Sequence, residues 1–191
     1  MFDALFNPAR KRRRANASAL YRAIVAQARQ PVFYSKAGVP DSLDGRYELI
    51  AAHLTLFVDR LRRAGDEGET LAGMIYDVFL EDMDIALREA GVGDLSVGKQ
   101  IKVIVEGLNG RMVAYPSALA AGDIAALREA LSRNLFGTLP TAEADANAAA
   151  MVAYWQAYWE LLETKEDMRL VAGELTFPPL TLLEVEPSHA G

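Results

Sequence analysis

The chain contains no cysteine. That removes disulfides, thiolate nucleophiles and Cys-built metal sites, and it fits a reducing compartment. Histidine is nearly as scarce, with only His53 and His189. No metal centre is expected, and the one haem chemistry left open is axial ligation by His53. There is no uninterrupted apolar run of about 18 residues, so no transmembrane helix is expected. The apolar stretch that a secretory signal needs after its basic residues is also missing. A Gly-x-Ser-x-Gly elbow is absent, and no Glu-x-x-His pair falls on an expected helix. Without a nucleophile–base pair or a metal cluster, no catalytic residues are assigned and a non-enzyme is expected.

What is present is asymmetric charge. The 191 residues carry a net charge of −6, yet the N-terminus is basic. Arg10, Lys11, Arg12, Arg13 and Arg14 are contiguous, Arg22 and Arg29 follow, and Asp3 is the only acid of that stretch. This predicts a basic arm over residues 1–16 on an acidic body. Next to Phe2, Leu5 and Phe6, these cations suit an anionic membrane. They would equally suit ribosomal RNA phosphates, or form a tail without a partner. DNA is not an expected partner.

Periodicity predicts an all-α protein: one irregular bundle of about six helices over residues 17–168, then an extended apolar arm over 169–191. The first helix is expected from Ala17 to Ala28, ended by Pro31. Residues 31–45 lack periodicity and should lie on the core through Val32, Phe33 and Tyr34. The second helix, Arg46–Ala64, carries Tyr47, Ile50, Leu54, Phe57 and Leu61 at buried-stripe spacing. A third spans 68–90. A fourth starts near Ser96, with a break or bend expected at Asn109-Gly110. A fifth starts after Asp123 and ends at Phe136, and an Ala-rich sixth runs from Ala142 to Lys165. From Leu170 to Leu183 the chain is apolar but interrupted by Glu174 and Pro178-Pro179. An arm packed along the helices and a partner-binding strap both fit that pattern.

On the third helix, Asp77, Glu81, Asp84 and Arg88 share an outer arc. They form either a solvated face or a docking face for a basic partner. Asp82 falls inside the apolar arc of Leu71, Ile75, Val78 and Phe79. A carboxylate there needs a partner; Lys99, Lys102, Arg111 and His53 are the candidates. A helix-to-helix tether, a client contact and a catalytic role all remain open for it. Gly91-Val92-Gly93-Asp94 reads as a helix stop and tight turn, with Asp94 or Ser96 capping the next helix. The Gly-Lys-Gln at Gly98–Gln100 lacks the Ser or Thr of a phosphate loop.

Residues 79–102, from Phe-Leu-Glu-Asp-Met-Asp to Gly-Lys-Gln-Ile-Lys, resemble the signature of the ubiquinol–cytochrome c chaperone family. Tyr21, Pro31–Tyr34, Gly38–Asp41, Gly45–Ile50, His53, Arg60-Leu61, Gly110-Arg111 and Tyr115 extend the similarity in order. Val103–Leu108 departs from it, where a bulkier aromatic-containing stretch is expected. The resemblance implies an assembly chaperone, without cofactor, that holds newly made cytochrome b during biogenesis of the bc complex. It implies work with a small partner subunit near the ribosomal exit. It also implies a location in the cytoplasm, peripheral at the inner face of the inner membrane, or in the mitochondrial matrix of a eukaryote. Asp77, Glu81, Asp84, Arg88, Lys99, Lys102 and Arg111 become client-binding candidates. Asp82, Gly91, Gly93, Asp94 and His53 become structural signature residues. The alternative is a helical scaffold with a different membrane-protein client.

Overall fold

The computed structural model describes residues 8–183. The expectations for Phe2, Leu5, Phe6 and the tail beyond Leu183 lie outside the described residues. The elements in order are α1 (Pro8–Ala28), α2 (Pro31–Ser35), α3 (Leu43–Arg62), α4 (Gly65–Glu89), α5 (Asp94–Ala120), α6 (Ile124–Leu135), α7 (Thr141–Glu163) and α8 (Asp167–Val171). A 3-10 turn follows at Leu180–Leu183. Among the described residues there is no strand. The all-α bundle is as the periodicity predicts.

The centre is α3, which packs against α1, α4, α5, α6, α7 and α8. Every residue from Leu49 to Val58 is buried. Ala51 and Ala52 keep the helix thin enough for neighbours on several sides. Its start is fixed by Ser42, whose Oγ accepts from the Gly45 N–H at 3.1 Å. Gly45 has no room for a side chain, because a Cβ there would lie 2.0 Å from the Pro40 carbonyl oxygen. Asp123, the cap expected from the sequence, accepts from Ala126 N–H at 2.9 Å and opens α6.

Beyond shifts of a few residues at helix ends, three features differ from expectation. The first helix begins at Pro8, not Ala17. Pro suits a first helical position, where its missing N–H has no intrahelical partner to lose. The basic block therefore stands on the opening turns of a core helix and not on a separate arm. Second, α5 runs unbroken through Asn109-Gly110. Leu108, Tyr115 and Ala118 bury one continuous face, and that packing outweighs the roughly 1 kcal/mol that a helical glycine costs. Third, the connector after α1 contains the short helix α2, which drives Phe33 fully into the core. The arm beyond α8 takes the packed form as far as Leu183. Leu170 and Leu183 are buried, and Phe177 stacks on Tyr158 with ring centroids 5.6 Å apart.

Candidate client-binding face and its supports

Five polar arrangements fix the signature and the helices around it. The α4–α5 turn comes first. Gly91 adopts φ +83°, the left-handed geometry that an L side chain disfavours. The Val92 N–H reaches back to the Leu87 carbonyl at 3.0 Å and closes the helix end. Arg88 then spans the turn, with Nε 2.6 Å from Asp84 Oδ2 and Nη1 on Asp94. This pairing lowers the Asp84 carboxyl below its usual range and raises the guanidinium. Asp94 is thus a clip and not a cap. The cap position is Gly93, and no side chain caps the start of α5.

Asp82 is half-buried, and its partner among the described residues is a hydroxyl, not a cation. It accepts a hydrogen bond from the Tyr21 hydroxyl at 2.7 Å. Burial, then this bond to a carboxylate, push the Tyr21 phenol well above its ordinary range. This contact joins α4 to α1. The partners proposed for Asp82 are engaged or exposed elsewhere. Lys99 is exposed, and Lys102 is exposed with its Nζ 3.8 Å from Glu106.

Arg111 pairs with Glu48 across α5 and α3, both side chains nearly enclosed. Its guanidinium also lies 5.7 Å from the Tyr47 ring centroid. Burial raises the Glu48 carboxyl, and Arg111 offsets part of that rise. For Arg111, burial lowers the guanidinium but Glu48 more than compensates. Arg111 is therefore an internal strut and not a free client contact. No sequence pattern pairs it with Glu48, because residues so far apart in the chain show no periodic relation.

His53 is fully buried in a ring of aromatics: Phe33, Tyr154, Trp155, Tyr158 and Phe177, at centroid distances of 4.7–5.9 Å. Its Nδ1 lies 2.7 Å from the Leu49 carbonyl and its Nε2 2.8 Å from the Tyr154 hydroxyl. The carbonyl can only accept, so Nδ1 carries the proton and Nε2 accepts from Tyr154. Gln27 Nε2 in turn donates to that hydroxyl at 2.9 Å. One polar chain thus joins α1, α7 and α3. Desolvation pushes the imidazole down to about 4, so it is neutral at neutral pH. Both ring nitrogens are occupied, which leaves no lone pair for a haem iron unless the core opens. Among the described residues no group of three or more His, Asp or Glu side chains is placed to hold a metal ion.

Arg60, near the C-terminus of α3, is one of the residues that carry the resemblance. It is buried and ties the far end of the bundle, donating to the carbonyls of Leu162 (3.0 Å) and Lys165 (2.9 Å) and to Asp167 (2.6 Å). The Leu162 carbonyl is one of the orphan acceptors at the end of α7, and Asp167 opens α8.

On the outer surface, Asp77 is exposed and Glu81 is engaged by Arg14 of α1. Arg13 lies 3.6 Å from Glu67. Part of the acidic stripe thus already has its basic partner within the chain. The surface also has an apolar component that the sequence reading missed. Ile85 is 54% exposed, Val103 57%, and Leu95 fully so. Leu95, Lys99 and Val103 stand at i, i+4 and i+8 on one face of α5. That spacing was legible, but it reads as an ordinary helix face until the opposite side is known to be the buried one.

A family model described as ubiquinol-cytochrome C chaperone matches residues 35–177. The chain belongs to the ubiquinol–cytochrome c chaperone family. The chaperone is also similar to a crystal structure described as the Cbp3 homolog from Brucella abortus. The two share 35% identity over 95% of this chain and 98% of that one, with a TM-score of 0.83. A comparison with curated proteins finds no match. The matched segment contains α3, α4, α5, α6 and α7, and with them His53, Arg60, the Glu48–Arg111 strut and the α4–α5 turn. Among the described residues of this chaperone, no helix is long and apolar enough to cross a membrane.

Proposed function

We propose that this chaperone binds newly made cytochrome b and holds it during assembly of the ubiquinol–cytochrome c reductase complex. The surface outside the α4–α5 turn is its client face. The observation that carries the reading is that Ile85 on α4 and Leu95 and Val103 on α5 are exposed, with Lys99 and Lys102 between the latter two in sequence and Asp77 and Asp84 on α4. Large aliphatic side chains in water, rimmed by charge, suit transient cover of an apolar client segment. The rigid turn clipped by Arg88 sets their spacing. A small partner subunit and a ribosomal contact belong to the same proposal, through the family resemblance.

Affinity capture from detergent-solubilised membranes tests it. Cytochrome b should dominate the recovered material, and loss of the gene should deplete the bc complex while other respiratory complexes persist. Normal cytochrome b on deletion, with a different membrane protein captured, would instead make the chain a helical scaffold for that client.

A further inference from the structure

One of the five rings around His53 is not carried by a helix. Phe33 comes from α2, and Tyr154, Trp155 and Tyr158 come from α7, but Phe177 belongs to the segment after α8. From Glu174 to Pro179 that segment has no regular structure. Its side chains alternate: Glu174 and Thr176 are exposed, while Leu175 and Phe177 pack on the core. Pro178 is buried, Pro179 is exposed, and Leu180, Leu182 and Leu183 turn inward again. Phe177 stacks on Tyr158 and meets His53 edge-on at 5.9 Å. Among the described residues, no hydrogen bond or ion pair joins residues 175–183 to any helix. The last polar ties are at Glu174, whose N–H reaches the Arg169 carbonyl at 2.9 Å and whose carboxylate takes the Arg169 guanidinium. Gly173, just before it, turns the chain with φ +97°. Beyond that turn, apolar side chains alone hold the segment.

We propose that residues 174–183 are a releasable strap, which fills an aromatic groove between α2 and α7 from within the chain and gives it up to an extended apolar segment of the client. The 3-10 turn at the end of the strap packs on those same two helices. Two properties favour exchange. An extended chain with alternate side chains turned inward is how proline-containing peptides dock on aromatic grooves in trans, and nothing in this contact requires the covalent link to α8. A segment without hydrogen bonds to the body also opens at lower cost than one that has them, so it can leave while the helices stay folded. Pro178-Pro179 has no N–H to satisfy and stays extended when free, so ordering it costs little. The strap records what the groove accepts: an extended apolar run with an aromatic side chain beside a proline pair. Filling the groove until a client arrives keeps aromatic surface out of water, where it would invite self-association. That the incoming segment is the client's rests on the function proposed above; release of the strap does not. The groove is built on helices other than α4 and α5, so this contact is additional to the face outside their turn.

The probe is a fluorescent peptide with the sequence of residues 174–183, added to the full-length protein and read by anisotropy. In the unmodified chain the strap competes at an effective concentration on the order of millimolar, so the peptide should bind weakly. F177S removes the strap's aromatic contact and leaves the groove intact. It should keep its helical circular-dichroism signal and bind the peptide roughly tenfold more tightly. The peptide carrying F177S, and a scrambled peptide, should bind neither chain. In the capture experiment F177S should recover severalfold more cytochrome b, and added peptide should reverse the gain. Loss of the helical signal in F177S would make the strap part of the core and overturn the proposal. So would a folded F177S that binds the peptide no better than the unmodified chain does. If the peptide exchanges but leaves recovery of cytochrome b unchanged, the groove does not take the client and the proposed exchange is wrong. The peptide arms read the strap whichever protein is captured, so its failure and the failure of the proposed client are separate results.

Discussion

The interior around His53 and the surface around the α4–α5 turn are built by opposite rules. Inside, one imidazole is enclosed by five aromatic rings and hydrogen-bonded at both nitrogens. Outside, Arg88, Asp84 and Asp94 pair in solvent, where water and salt screen the charges and the pairs add little to stability. Both regions supply residues by which the family is recognised, but for different physical reasons. The interior fixes which helices meet. The exterior fixes the shape of a turn and leaves large apolar side chains uncovered beside it. A residue's contribution to recognition therefore says little about whether stability or binding depends on it.

The contrast breaks first at His53. Replacing it with alanine leaves a cavity among the rings and strips partners from the Tyr154 hydroxyl and the Leu49 carbonyl. The expected loss is about 3 kcal/mol or more, read as a fall in denaturant midpoint. A midpoint within error of the unmodified protein would mean that the interior is not the anchor. The same residue sets an acid limit. Its pKa is depressed from 6.5 to about 4, so the unfolded chain takes up a proton that the folded one refuses. Stability from this group is complete above pH 6.5 and is lost as pH falls toward 4, by on the order of 3 kcal/mol. Urea titrations at stepped pH should show that slope, and H53Q should flatten it.

A smaller effect sharpens the boundary between the regions. Asp82 and Asp77 lie on the same helix, but of the two only Asp82 meets a side-chain partner among the described residues, the Tyr21 hydroxyl. D82A leaves that phenol buried and unpaired and should cost about 1–2 kcal/mol. D77A should stay within roughly 0.5 kcal/mol, as surface substitutions do. D82N retains an acceptor and should fall between them. Equal thermal midpoints for D82A and D77A would show that the hydrogen bond contributes nothing.

The sequence revealed the helices because burial leaves a 3.6-residue period. It placed Asp82 inward for the same reason. It could not name Tyr21 as the partner, since the choice between a hydroxyl on α1 and a cation on α5 depends on how two helices cross. The Glu48–Arg111 strut and the Arg60 contacts with the end of α7 were illegible for that reason too. Helix α5 was expected to break because Asn109-Gly110 is a local signal. Continuity won because Leu108 and Tyr115 pack on both sides of it. The basic block looked separable because five contiguous cations cannot share one buried face. The structure confirms their exposure but places them on a helix, where two of the five find acids on α4.

The smallest stability effect is expected where the functional effect should be large. Leu95 and Val103 contact solvent, so L95S/V103S removes apolar surface that folding does not bury. Serine costs only a few tenths of a kcal/mol more in helix propensity. The melting temperature should therefore stay within a few degrees of the unmodified value. Recovery of cytochrome b in the capture experiment should fall severalfold, because two aliphatic contacts with the client are lost. L61S provides the opposite control: a fully buried position whose substitution should unfold the domain and lose the client only through that unfolding. If L95S/V103S melts normally and recovers cytochrome b in full, the client face lies elsewhere on the bundle, and the exposed side chains on α5 are incidental to binding.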